Sequence, residues 1–171
     1  MPATRPKQAP ARYARWLDEI KALHQGARAL RGYDDAAGVA ARLVKTNHRL
    51  PPDKADWLAR HWAEPRTGED GATRWEIMGD SAHRIINAQL FQVEEMLALY
   101  AAITAPTLVV EASDESMAHW WKGRYTLAEF HERLKAVPRM RLETLPDCGH
   151  MLHHDQPERL ERMVEAFLAE A

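Results

Sequence analysis

Hydrophobic positions along this chain keep a helical rhythm for the first hundred residues and change to a strand rhythm after them. Tyr13, Trp16, Leu17, Ile20, Leu23 and Ala27 recur at three- and four-residue spacing, which predicts a helix from about Ala11 to Leu30 with one apolar face. Asp34 and Asp35 suit the start of a short helix through Val44, and Pro51-Pro52-Asp53 starts another that carries Trp57, Leu58 and Trp62. The polar segment from Glu64 to Thr73, with Gly68 and Gly71, reads as a loop, and a brief extended piece is expected around Trp75 to Met78. From Asp80, a good N-cap, the spacing of Ile85, Ile86, Leu90, Val93, Leu97 and Tyr100 predicts the longest helix in the chain.

Beyond Thr104, Leu108-Val109-Val110 forms a continuous apolar run bounded by Pro106 and by Ser113-Asp114, the pattern of a strand buried on both faces of a parallel sheet. Thr126-Leu127-Ala128-Glu129 is a capping box, and Leu127, Phe130, Leu134 and Val137 give the helix behind it an apolar face. Met140 to Leu145 is the next strand. Pro157 at a first helical position, followed by Leu160, Met163, Val164, Phe167 and Leu168, makes a closing amphipathic helix. The fold class is therefore α/β, with a mostly helical segment over residues 1–103 and a parallel βαβα unit over 104–171. Two parallel strands alone leave rows of unpaired backbone donors and acceptors, so this sheet is expected to be incomplete.

Composition narrows the function classes. A chain of 171 residues that is 46% hydrophobic can bury a real core. Its net charge of −2 offers no basic stripe for a phosphate backbone, so nucleic acid is excluded as the expected partner and a small molecule takes its place. No apolar run approaches membrane-spanning length. The single cysteine, Cys148, cannot form an internal disulfide, which fits a reducing compartment and gives the cytoplasm as the expected location. Nothing in the chain fixes an oligomeric state.

The chemistry concentrates at two strand ends. Leu145-Pro146-Asp147-Cys148-Gly149-His150 closes the second strand, and an imidazole there can take and return a proton near neutral pH. Asp114, just past the first strand, can accept the other ring N–H and hold the tautomer. The bland readings are a loop histidine and a turn aspartate. Glu111 and Glu115 rival Asp114 for the acid role. Ser81, in Gly79-Asp80-Ser81-Ala82-His83, follows an extended piece, but His83 is too large for the tight approach a nucleophile turn needs, which leaves Ser81 as a helix-start residue. Ser113 and Ser116 are poorer candidates. His150, His153, His154 and Asp155 crowd together without matching a zinc spacing, so neither a metal nor another cofactor is expected. Cys148 reads as a small loop residue. Trp62, Trp120 and Trp121, with Trp57 and Trp75, are candidates to line an apolar substrate pocket, although each is also an ordinary core residue.

A carboxylate after one strand and a histidine after the next, in that order, resembles the C-terminal part of the α/β-hydrolase family, in which a nucleophile precedes both. The likeness is loose over the whole chain and good over residues 103 to 168. The chain departs from the family pattern in carrying Glu111 where glycine is usual, and in having no GxSxG nucleophile elbow. The resemblance implies that residues before about Thr104 form an inserted helical cap and that the two strands are the last two of an eight-stranded sheet. It further implies an esterase-like hydrolase of a small apolar ester or related electrophile. His150 would be its base, Asp114 its orienting acid, and the nucleophile would lie outside this chain, which alone would be inactive. Two other readings stand beside it: a non-catalytic helical binding protein that uses the tryptophans, and a minimal hydrolase using Ser81.

Overall fold

The computed structural model describes residues 4–68, 70–114 and 120–170, and these divide into two compact units, Arg5–Leu90 and Met1–Thr4 with Phe91–Ala171. In the first unit, helix α1 (Ala9–His24) stops well short of the predicted Leu30. Gly26, at φ +72°, closes it: its N–H donates to Leu23 O at 2.9 Å and the Ala27 N–H to Ala22 O at 3.0 Å, the paired bonds of a Schellman cap. Trp16, Ile20 and Leu23 on the predicted apolar face are half-buried, whereas Tyr13 and Leu17 stay exposed.

Helices α2 (Ala36–Thr46) and α3 (Pro52–Trp62) follow the sequence reading. The Asp35 carboxylate accepts the Gly38 N–H at 2.8 Å to start α2, and Pro52 occupies the first turn of α3, where a missing N–H costs nothing. Both helices pack on a sheet that the periodicity did not reveal. Strand β1 (Gly32–Tyr33) pairs antiparallel with β3 (Thr73–Ile77), which pairs antiparallel with β2 (Ala63–Thr67). Val39, Ala59 and Ala63 form the core beneath Tyr33, Trp75 and Ile77, and Leu50, Ala55 and Leu58 extend it along the helix pair. The expected loop from Glu64 to Thr73 is thus a hairpin. Its strands are mostly polar and exposed, held by the backbone ladder and a 3.0 Å bond between the Thr67 and Thr73 hydroxyls, and Gly71 turns the chain at φ +75°.

The long helix expected from Asp80 does not form. Asp80 caps only a 3₁₀ turn, Ser81–Arg84, by accepting the Ala82 N–H at 2.7 Å. The Ile86 N–H is then captured at 2.8 Å by the Glu19 carboxylate of α1, and Asn87 makes an Asx turn by accepting the Gln89 N–H at 2.9 Å. Both interactions divert groups a helix would need. Glu19 also pairs with Arg15 at 2.8 Å and Arg28 at 3.1 Å. The Ile86 N–H first and the Arg15 bond second hold its carboxyl below the ordinary glutamate range. A depressed carboxyl contributes stability that is present above its unfolded value and lost as pH falls through the folded one. Glu19→Gln is therefore expected to lower the thermal midpoint at neutral pH and to converge with the parent only once pH has fallen below the ordinary glutamate range, as a melting series across pH would record.

The second unit contains α4 (Val93–Ala101), β4 (Thr107–Ala112), α5 (Leu127–Leu134), β5 (Met140–Leu145), a single turn α6 (Leu152–Asp155) and α7 (Pro157–Glu170). Strands β4 and β5 pair in parallel, Thr107 opposite Met140 through Ala112 opposite Leu145. The register puts Glu111 and Thr144 on one face and Arg141 on the other. Helix α5 covers the first face through His131, while α7 covers the second, where Arg141 lies over the Phe167 ring. This is the α/β architecture read from the sequence. The capping box at Thr126 is only half used: Thr126 Oγ1 accepts the Glu129 N–H at 3.1 Å, but the Glu129 carboxylate pairs with the buried Arg133, whose guanidinium lies over Tyr125. Burial pushes the Tyr125 phenol above its ordinary pKa.

The two strands differ in character. β5 alternates Arg141 and Glu143 with Leu142 and Thr144, and Arg141 is ion-paired to Glu143, so its sequence is that of a blunted sheet edge. β4 is apolar through Leu108-Val109-Val110, yet all six of its residues are only half-buried. The expected full burial of its faces is thus only partial within this unit, and no strand other than β5 pairs with its edges among the described residues.

Candidate active site

The C-terminal ends of β4 and β5 are stitched together by their exit turns. The Ser113 N–H donates to Leu145 O at 3.1 Å and the Asp114 N–H to Cys148 O at 3.2 Å, continuing the ladder beyond the strands. Ser113 Oγ accepts the Cys148 N–H at 3.3 Å and lies 3.4 Å from Cys148 O. Cys148 is fully buried, with its Sγ donating to Leu145 O at 3.1 Å. The thiol is therefore a structural packing group, as the sequence suggested. Ser113, considered there only as a poor nucleophile, is the residue that ties the two turns.

Asp147 carries the left-handed backbone of the second turn at φ +55°. Aspartate adopts that conformation more readily than most residues. The Gly149 N–H donates to the Asp155 carboxylate at 2.9 Å, which anchors the turn to α6. His150 stands exposed just beyond, and Asp114 is exposed on the neighbouring turn. A carboxylate and an imidazole thus rise from adjacent turns at the same end of a parallel pair, where open α/β sheets place their ligands.

Glu111 is engaged elsewhere. Its Oε2 lies 2.7 Å from His131 Nε2, and its Oε1 accepts the Thr144 hydroxyl at 3.1 Å. That carboxylate fastens α5 to the sheet. His131→Ala should cost about 1 kcal/mol of stability, since both partners are partly buried, and urea unfolding would measure it. Glu115 and Ser116 lie outside the described residues.

Ser81 sits in the 3₁₀ turn after an antiparallel strand, and the chain beyond it is not helical until Val93. A nucleophile elbow requires a strand, a sharp turn and a helix in succession, and this local structure does not supply it. His153 is exposed and His154 buried, with their rings 4.2 Å apart. Among the described residues no group of three or more His, Cys, Asp or Glu side chains is placed to hold a metal ion. No helix among them is long and apolar enough to cross a membrane.

The tryptophans take different roles. Trp75 packs against the core of the first unit, and Trp57 lies exposed and stacked on His61 at 4.1 Å. Trp62 ends α3 and is 38% exposed, while in the second unit Trp120 is 68% exposed and Trp121 meets Tyr125 edge-on at 6.2 Å. Trp62, Trp120 and Trp57 keep indole surface open to solvent, the condition for contact with an apolar ligand.

The sequence profile of the Alpha/beta hydrolase family matches residues 3–163. The chain belongs to that family. No curated protein matches it. Among solved structures it resembles a hypothetical protein of Pseudomonas aeruginosa PAO1, with a TM-score of 0.74 and 19% identity over 98% of this chain and 55% of that one. It also resembles E-2-(acetamidomethylene)succinate hydrolase, with a TM-score of 0.63 and 17% identity over 99% of this chain and 55% of that one. The thioesterase domain of the curacin biosynthetic pathway gives a TM-score of 0.67 and 18% identity over 96% of this chain and 52% of that one. At these identities the likeness is one of fold. The chain spans about half the length of the structures it matches.

Proposed function

We propose that this chain is the cap and the acid- and histidine-bearing end of an esterase-like hydrolase, and that the nucleophile and oxyanion donors reside outside it. Residues 1–103 are taken as the cap portion and 104–171 as the end of the catalytic core. In the complete enzyme His150 takes a proton from the attacking group and returns it to the leaving group. Asp114 orients the imidazole and stabilises its charged form. The substrate is a small, largely apolar ester or related electrophile, with Trp62, Trp120 and Trp121 as apolar contacts. A cytoplasmic location fits the lone buried cysteine.

The observation that carries this reading is the stitching of the two exit turns through Ser113, Asp114 and Cys148, which holds acid and base on neighbouring turns. The half-exposed apolar strand β4 beside a blunted β5 supports a missing neighbour on the β4 side. The chain's share of the matched structures agrees with that. The test compares hydrolysis of p-nitrophenyl esters of increasing acyl length by the 171-residue chain and by the longest polypeptide encoded in frame with it. Activity confined to the longer protein is expected. Ester turnover by the short chain would refute the division of labour.

A second reading, a non-catalytic binding protein, draws on the exposed indoles of Trp57 and Trp120. It predicts that an identified ligand still binds after His150→Ala and that no longer protein hydrolyses an ester.

A further inference from the structure

Strand β5 and helix α7 enclose a groove of about 530 Å³ on the sheet face opposite α5. Its floor is apolar. Leu145 and Pro146 contribute from the strand end, and Met163 and Ala166 from the helix. Its rim is basic, because Arg159 and Arg162 share the helix face that carries Met163 and Ala166, at i, i+3, i+4 and i+7.

The third arginine of the groove is already neutralised. Arg141 Nε lies 2.9 Å from Glu143 Oε1 and its Nη1 lies 2.6 Å from Glu170 Oε2. Arg159 and Arg162 are both exposed, and neither has an ion-pair partner among the described residues. Two guanidinium groups one turn apart repel each other. Both also lie in the first two turns of α7, which begins at Pro157, where the helix dipole favours negative charge. An oxyanion bridging the pair would offset both penalties.

We propose that this groove binds a small anionic amphiphile, with one phosphate or carboxylate head held between Arg159 and Arg162 and a short alkyl tail lying over Pro146, Met163 and Ala166. The planar fork of arginine suits such heads, accepting two oxygens side by side. The groove volume falls within the range of small-ligand sites, about 300–1,000 Å³. The apolar floor requires a tail, and the two uncompensated charges require an anion. The site uses neither Asp114 nor His150 and does not rest on the hydrolase reading.

Titration calorimetry of the 171-residue chain with octyl phosphate, octanoate, octanol and inorganic phosphate tests the proposal. Saturable binding is expected for octyl phosphate, for octanoate or for both, and the comparison shows which head is preferred. Octanol and inorganic phosphate should each bind at least about tenfold more weakly, because each lacks one half of the recognition. The double variant Arg159→Glu/Arg162→Glu should lose binding without a lower thermal midpoint, since both side chains are exposed and acidic residues suit the start of a helix. Arg159→Gln/Arg162→Gln serves if the charge reversal fails to fold. Backbone amide shifts on adding octyl phosphate should cluster at residues 145–146 and 159–166. Equal affinity in the arginine variants, equal affinity for inorganic phosphate, no saturation in the millimolar range, or shifts elsewhere would each overturn it.

Discussion

Leu145→Ala is expected to lower the unfolding free energy by about 2–5 kcal/mol, the cost of removing a fully enclosed leucine from a site that cannot collapse. Leu145 is only 1% exposed, ends β5, and offers its backbone carbonyl to both the Ser113 N–H and the Cys148 thiol. The rigid ties around it prevent the walls from moving in to fill the space. Since a domain of this size is held by about 5–15 kcal/mol in all, the loss should be visible as a large shift of the urea midpoint. Far-ultraviolet dichroism would follow it. A change below about 1 kcal/mol would mean that the exit turns are far looser than their hydrogen bonds indicate.

On the proposal that His150 and Asp114 serve an esterase, His150→Ala in the longer in-frame protein is expected to reduce kcat by at least about 10³-fold, and Asp114→Asn by a comparable or smaller factor. KM should change little, because the imidazole acts on the proton in flight rather than on the bound substrate. The variant should fold normally, as His150 is exposed on its turn. Steady-state kinetics across pH separates this from a structural role. Asp114→Asn should change the shape of the pH profile of kcat while leaving ester affinity intact.

The second half of the chain was legible because its signals were redundant. For β4, the apolar run Leu108-Val109-Val110 and its boundaries at Pro106 and Ser113-Asp114 pointed to the same element, which spans Thr107–Ala112, and β5 spans Met140–Leu145 as read. Asp114 and His150 could be named because strand ends announce themselves, although nothing in the sequence revealed that Ser113 and Cys148 would bind the two turns together. The hairpin over 63–77 was hidden because its strands present polar side chains to solvent and bury little beyond Ala63, Trp75 and Ile77. The helix expected from Asp80 failed for a different reason. Its apolar spacing was real, but a carboxylate 67 residues away takes the Ile86 N–H, and local helical preference does not outweigh that bond and the Asn87 turn. Tertiary hydrogen bonds of that kind leave no mark on periodicity.

Glu111 illustrates how a site can be narrowed without being visible beforehand. As a carboxylate at a strand end it rivalled Asp114 for the acid role, although the family pattern favoured Asp114. Only the 2.7 Å contact with His131, a helix away, removes it from competition.

The most direct test of the proposal that this chain carries acid and base but not the attacking group is to expose the 171-residue protein to a fluorophosphonate and weigh it. The account predicts an unchanged intact mass after prolonged reaction, with the longer in-frame protein labelled once. A single adduct on the short chain that disappears in Ser81→Ala would contradict it.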